Sequence, residues 1–166
     1  MTLSADRFFP NPMSSGSPAK ILLVEDNPDH AELILRGFED HPVANDILHV
    51  PDGEAALDYL LRRGPYSKPE VSPRPQLVLL DLRLPKVDGL EVLRQIREEP
   101  NLDDLPVVVL TTSRSESDVV RAYECQVNSY LVKPLDFASF TSLINDLGYY
   151  WLGWNHAPGS GSSHED

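Results

Sequence analysis

Residues 76–89 read QLVLLDLRLPKVDG. A short unbroken apolar run ends in an aspartate, and a loop with proline and glycine follows. An uninterrupted run of this length is the signature of a strand covered on both faces. Leu90, Val92, Leu93 and Ile96 then recur at helical spacing, and Pro100 stops the pattern. One strand–acid–loop–helix unit is thereby set, and the rest of the chain repeats it. On the N-terminal side, Ile21–Val24 is a strand that ends in Glu25 and Asp26. Asn27 and Pro28 then open a helix carrying Ala31, Ile34, Leu35 and Phe38, which runs to about Glu39. Ile47–Val50 is a weaker strand, followed by a turn at 51–53 and a helix through Ala55, Ala56, Tyr59 and Leu60 that ends near Gly64. On the C-terminal side, Pro106 opens a strand over Val107–Leu110, followed by Thr111 and Thr112. Residues 115–125 form a helix capped by Ser115 or Ser117, Ser129–Val132 is a fifth strand, and a last helix runs from Asp136 to about Leu152.

Five strands alternating with five helices predict a parallel sheet covered on both faces. A doubly wound sheet in either the Rossmann or the flavodoxin-like order satisfies the pattern. No repeat is visible. Residues 1–18 are expected to be a disordered leader and residues 153–166 a flexible tail, both rich in Ser, Gly and Pro. Met13 offers an alternative start.

Composition narrows the function. The chain has 166 residues, 26 Asp and Glu against 14 Lys and Arg, and a net charge of −12. That balance argues against nucleic acid, which needs a basic face, and against an anionic membrane surface. A single cysteine, Cys125, excludes an internal disulfide and a thiolate zinc site, and reads as a small buried residue. No signal peptide and no membrane-length apolar run is present, so a cytoplasmic protein is expected. Of the 15 prolines, Pro65, Pro69, Pro73 and Pro75 mark one long loop. Its basic residues Arg62, Arg63, Lys68 and Arg74 read as solvated, with a docking patch as the sharper alternative.

In an open parallel sheet, ligands bind at the carboxyl ends of the strands. Those ends carry Glu25 and Asp26, Asp81, Thr111, and Lys133 with Pro134. Three clustered carboxylates repel one another and call for a counter-charge. A hard divalent cation such as Mg²⁺ supplies it through oxygen ligands. The lysine and the threonine hydroxyl suit an incoming anion, and a phosphoryl group accepted by an aspartate fits all of them.

The stretches ILLVEDNPDHAELI (21–34), LVLLDLRLPKVDGLEVL (77–93), PVVVLTT (106–112) and SYLVKP (129–134) together resemble the motifs of two-component response-regulator receiver domains. The resemblance spans residues 19–152. It implies a flavodoxin-like sheet in the order 2-1-3-4-5. It further implies a phosphoacceptor switch rather than an enzyme, with Asp81 accepting a phosphoryl group from a sensor histidine kinase. Asp26 and Asp81 would hold Mg²⁺, with Arg83 offering its backbone carbonyl and Glu25 in an outer position acting through water. Thr111 and Lys133 would bind the phosphoryl group. Tyr130 would follow Thr111 as the switch aromatic, and Pro134 would be preceded by a cis peptide. Arg83 and Thr112 are bulkier than the residues many receivers carry there, which bears on how long the phosphoryl group survives.

The final helix region gathers Phe137, Phe140, Tyr149, Tyr150, Trp151 and Trp154, including both tryptophans. One buried stripe cannot hide them all, so a homodimer through the fourth helix, fifth strand and fifth helix is expected, with an intramolecular cap as the alternative. The long loop, the segment YECQVNSYLVKP (123–134) and the aromatic end are similar to stand-alone regulators of phytochrome-type sensor kinases. Output would pass by contact with a downstream protein. Three other readings compete. A flavin-binding flavodoxin needs a phosphate loop where Glu25, Asp26 and Asp29 stand. A Mg²⁺-dependent aspartyl-phosphate phosphatase would want an acid at position 83. The third is a receiver that binds partners without phosphorylation.

Overall fold

The structure is a computed structural model that describes residues 18–154; residues 1–17 of the expected 1–18 leader and most of the expected tail, residues 155–166, lie outside the described residues. Five strands form one parallel sheet: β1 (Ala19–Val24), β2 (Asn45–Val50), β3 (Leu77–Leu80), β4 (Val107–Thr111) and β5 (Ser129–Val132). Their order is β2-β1-β3-β4-β5, so the flavodoxin-like alternative holds. The helices are α1 (Pro28–Glu39), α2 (Gly53–Leu60), α3 (Gly89–Glu98), α4 (Glu116–Glu124) and α5 (Phe137–Gly148), and a π-helical segment, Tyr149–Trp154, extends α5. Among the described residues no helix is long and apolar enough to cross a membrane.

Strand alternation divides the core in two. Leu22, Val24, Val78, Leu80, Val107 and Val109 pack with Leu57, Leu60, Leu93 and Ile96 of α2 and α3. On the other face Ile21, Leu23, Leu77, Leu79, Val108 and Leu110 pack with Ile34 and Phe38 of α1 and with Phe140 and Ile144 of α5. Each fully buried aliphatic contributes roughly 1.5–3 kcal/mol. These two layers, rather than the surface ion pairs, therefore hold the domain together. The three central strands are buried almost throughout, which is why their sequences read as unbroken apolar runs.

The long loop is structured. Two 3-10 turns, Gly64–Tyr66 and Pro69–Val71, follow α2. The Tyr59 hydroxyl donates to Pro73 O at 2.6 Å, and the Ser72 hydroxyl lies 2.9 Å from Tyr66 O. Arg62 donates to Ser72 O at 3.4 Å, Arg63 pairs with Asp58 at 3.2 Å, and Arg74 donates to Leu60 O. These three arginines thus tie the loop down instead of forming a free basic patch.

Two glycines set the loop that follows β3. A Cβ on Gly89 would lie 2.3 Å from Asp81 O, and one on Gly53 would lie 1.9 Å from Val87 O. Both backbones approach too closely for any side chain. Gly89 N–H donates to Leu82 O at 3.0 Å, which closes the loop back onto the residue after Asp81.

Several expectations need correction. Helix α2 stops at Leu60, four residues short of Gly64, because Arg62 has φ +55° and Arg63 N–H turns back to Asp58 O. The peptide before Pro134 is trans, since no cis peptide occurs among the described residues. With Lys133 N–H bonded to Thr111 O at 2.7 Å, the ladder extends through Lys133 and its side chain reaches the site with the ordinary trans bond, which X–Pro peptides prefer. Cys125 is only partly buried, because it is the C-cap of α4 at the edge of the core. Phe140 is 3 % exposed, inside the layer between the sheet, α1 and α5, so it is unavailable to an interface. Trp151 is half-buried against the same layer, which matches the intramolecular-cap alternative for that side chain. Phe137, Tyr149 and Tyr150 remain exposed, and the side chain of Trp154 lies outside what is described.

Candidate functional site

The ladder carries the chemistry to one edge. Glu25 N–H bonds Val50 O at 3.1 Å and Asp81 N–H bonds Val24 O at 3.0 Å, so the acids after β1 and β3 are fixed by the sheet itself. Asn27 caps α1, accepting from the amides of Asp29 and His30 at 2.9 and 3.2 Å. That cap turns the chain sharply after Asp26 and brings His30 over the site.

Glu25, Asp26 and Asp81 each present a carboxylate oxygen, and these oxygens lie within 4.8 Å of one another. Glu25 and Asp81 are 1 % and 5 % exposed, whereas Asp26 is exposed. Of the adjacent acids Glu25 and Asp26, Glu25 is thus the buried one. Its oxygens are held inside by Lys133 Nζ at 2.5 Å and by Asn27 N–H at 3.0 Å, leaving Asp26 at the rim. Lys133, 2 % exposed, also donates to Asp81 Oδ2 at 2.7 Å and to His30 Nδ1 at 3.0 Å.

Electrostatics separates the two buried acids. Burial and the neighbouring Asp81 charge push Glu25 up to about 7, against the lowering effect of Lys133 and the Asn27 amide. Burial also acts to raise Asp81, but the Lys133 charge and hydrogen bond, the Thr111 hydroxyl and the Arg83 amide outweigh it and hold Asp81 below its usual value. His30 is lowered by burial and by Lys133. Asp81 is thus the carboxylate kept ionised. One ammonium against three carboxylates leaves the pocket short of positive charge, and the raised Glu25 is the sign of it. A hard divalent cation fits the oxygen donors present.

Thr111, 0 % exposed, ends β4, and Ser113 N–H donates to its Oγ1 at 3.3 Å. Tyr130 of β5 donates its hydroxyl to Ser113 O at 2.9 Å. Arg83 donates its amide to Asp81 Oδ1 at 3.2 Å and sends its guanidinium to Asp118 Oδ2 at 2.7 Å. Thr112 is exposed. Sequence reasoning found Glu25, Asp26, Asp81, Thr111, Tyr130 and Lys133 and missed His30, Ser113 and Asp118. Ser113 had a signal, since it lies two residues beyond Thr111 on extended chain. Asp118 reads from sequence as an ordinary acid in the first turn of a helix, and His30 as a surface position of α1.

An acidic pocket with a buried lysine, a hydroxyl and an aspartate at the carboxyl edge of a 2-1-3-4-5 sheet defines a class, and the comparisons agree: the chain belongs to the response regulator receiver domain family, whose model matches residues 21–145. Among its relatives is a probable methanogenesis regulatory protein, FilR2, of Methanothrix harundinacea, 51 % identical over 148 residues, covering 89 % of this chain and 92 % of FilR2. Response regulator Rcp1 of Synechocystis sp. is 41 % identical over 138 residues, covering 83 % of this chain and 92 % of Rcp1. The Mn(2+)-bound crystal structure of Rcp1 superposes with a TM-score of 0.81 at 40 % identity, covering 86 % of this chain and all of that one. The phosphorylated cyanobacterial phytochrome response regulator RcpA gives 0.81 at 37 % identity, with the same coverage.

Proposed function

We propose that the chain is a phosphoacceptor switch in which Asp81 takes a phosphoryl group from the phosphohistidine of a sensor kinase, in a Mg²⁺-dependent reaction. The observation that carries this is Lys133 Nζ, buried and 2.7 Å from the Asp81 carboxylate that it keeps ionised. An Asp81 oxygen forms the new bond to phosphorus as the phosphorus–nitrogen bond of the donor breaks, and the electron pair stays on the donor imidazole. The Lys133 ammonium and the Thr111 hydroxyl receive charge that develops on the phosphoryl oxygens. Asp26, Asp81 and the Arg83 carbonyl would hold the cation, with Glu25 behind them. When bound, the cation neutralises phosphoryl charge. Phosphorylation adds up to about two negative charges at Asp81. Thr111 and Tyr130 pass the change to α4, β5 and α5. Slow loss of the phosphoryl group to water resets the switch, so turnover of a substrate is not its role.

The likeness to RcpA supports a phytochrome-type kinase as donor, and the likeness to FilR2, a probable methanogenesis regulatory protein, is the reason to test that choice directly. With a purified phytochrome-type kinase carrying labelled phosphohistidine, the label is expected to move to this chain within minutes and to stay on the kinase when Mg²⁺ is chelated. Label that stays on the kinase in Mg²⁺, while acetyl phosphate still modifies Asp81, would remove the phytochrome pairing alone.

Output by protein contact and a homodimer belong to the same reading. Val120 and Tyr123 of α4, together with Leu135, Phe137 and Tyr150, are 49, 52, 93, 67 and 54 % exposed. Exposed aromatics on this scale suit an interface core. Light scattering is expected to give a dimer for the full chain and a monomer for Phe137→Asp with Tyr150→Asp. An unchanged mass would count against this face.

A further inference from the structure

The residue two positions beyond the proposed phosphoacceptor is tied to a different element. Arg83 Nη2 lies 2.7 Å from Asp118 Oδ2 in the first turn of α4, and Ser113 Oγ donates to the same oxygen at 2.5 Å. Arg83 Nη2 also reaches Ser113 Oγ at 3.5 Å. Ser113 in turn holds Thr111 Oγ1 through its amide and the Tyr130 hydroxyl through its carbonyl. The Arg83 amide is on Asp81 Oδ1. A chain of contacts therefore runs from Asp81 through Arg83, Asp118 and Ser113 to Thr111 and Tyr130.

The two ends of the ion pair differ. The Asp118 side chain is 10 % exposed, and Arg83 is its one cationic partner among the described residues; the Arg83 side chain is 64 % exposed. An exposed guanidinium on a long flexible stem exchanges partners readily, and its planar fork matches phosphoryl oxygens better than a single carboxylate oxygen. A buried carboxylate that loses its cation is left with an uncompensated charge.

We propose that Arg83 is a two-position latch: bound to Asp118 it holds the start of α4 and the Ser113 segment in the unphosphorylated arrangement, and phosphorylation of Asp81 draws it onto the phosphoryl group and frees α4. The proposal rests on Asp81 being the phosphoacceptor. It makes Arg83 a positioning residue that couples the charge at Asp81 to the first turn of α4. In the second position its guanidinium also covers the phosphoryl group from water.

The test is a cycle of full-length Arg83→Ala, Asp118→Asn and the double variant, phosphorylated with acetyl phosphate and Mg²⁺ and followed by intact mass after the donor is removed. Asp118→Asn keeps the shape and the Ser113 contact. Its release of Arg83 is expected to lengthen the phosphoaspartate lifetime about threefold, on the scale of a half-exposed pair. Arg83→Ala is expected to shorten it by a similar factor and to cancel the effect of Asp118→Asn, and Arg83→Lys to fall between. Amide exchange at residues 116–119 is expected to rise on phosphorylation in the wild type and to be already raised and unresponsive in Arg83→Ala. An Asp118→Asn effect of equal size with and without Arg83, or the same exchange response in Arg83→Ala as in the wild type, would overturn the latch. A wild type that takes no phosphoryl group overturns the phosphoacceptor reading along with it, and the mass alone tells these outcomes apart.

Discussion

Lys133→Met is expected to destabilise the metal-free protein by about 3–5 kcal/mol at neutral pH, the range for removing one partner of a buried ion pair. Lys133 is the cation shared by Glu25 at 2.5 Å and Asp81 at 2.7 Å. Without it two carboxylates remain, 1 % and 5 % exposed, next to each other. Glu25 is already raised to about 7 with the lysine in place, by burial and by Asp81. In the variant Glu25 is raised further and Asp81 rises from its lowered value, because the Lys133 charge and hydrogen bond that held them down are gone. The sign follows from proton uptake. Groups with a folded pKa above the unfolded value keep more protons in the native state, so stability falls as pH rises. The loss should therefore be smaller near pH 5, where the pair can hold protons and His30, freed of its lysine neighbour, can charge, and largest near pH 8. Urea unfolding of wild type and variant in chelator at both pH values checks it. Added Mg²⁺ or Mn²⁺ should return part of the loss by mass action, since the cation replaces the missing positive charge. A pH-independent loss would mean that the packing of the lysine stem, rather than its charge, matters.

Asp81→Asn is expected to have opposite consequences for stability and for chemistry. The amide keeps an oxygen for Lys133 and the shape of the side chain but removes the charge that raises Glu25. Glu25 is thereby partly relieved, while Lys133 keeps Glu25 as its charged partner, so the metal-free variant should be as stable as the wild type or slightly more stable. Its affinity for a divalent cation should fall by at least about tenfold, because one of the two carboxylates that would hold the cation directly is gone. Phosphorylation should drop to background, since a neutral amide is not a nucleophile. A variant that is no less stable, yet does not react, separates the role of Asp81 in chemistry from any role in holding the fold. Calorimetric titration with Mn²⁺ and urea unfolding measure the two sides.

The sheet was legible in the sequence because its central strands are buried on both faces and its acids follow them directly. All five helix starts carry an Asn, Asp or Ser cap, at Asn27, Asp52, Asp88, Ser115 and Asp136. Residues whose role depends on contact across elements were not legible. Asp118 and Arg83 stand 35 positions apart, and nothing local to either announces the pair. Glu25 and Asp26 are adjacent and chemically alike, so which one is buried could not be read until the Lys133 ammonium, 108 positions away, was seen to select Glu25. The aromatic end divides for a similar reason. Helical spacing places Phe140 and Leu147 on one stripe, and only the packing of α1 against α5 shows that this stripe is covered.

The measurement closest to the central claim is the intact mass of the protein after incubation with acetyl phosphate and Mg²⁺. One phosphoryl group on each wild-type chain, and none on Asp81→Asn, is the result expected of a switch built on Asp81. No adduct on the wild type, or an equal adduct on Asp81→Asn, would contradict it.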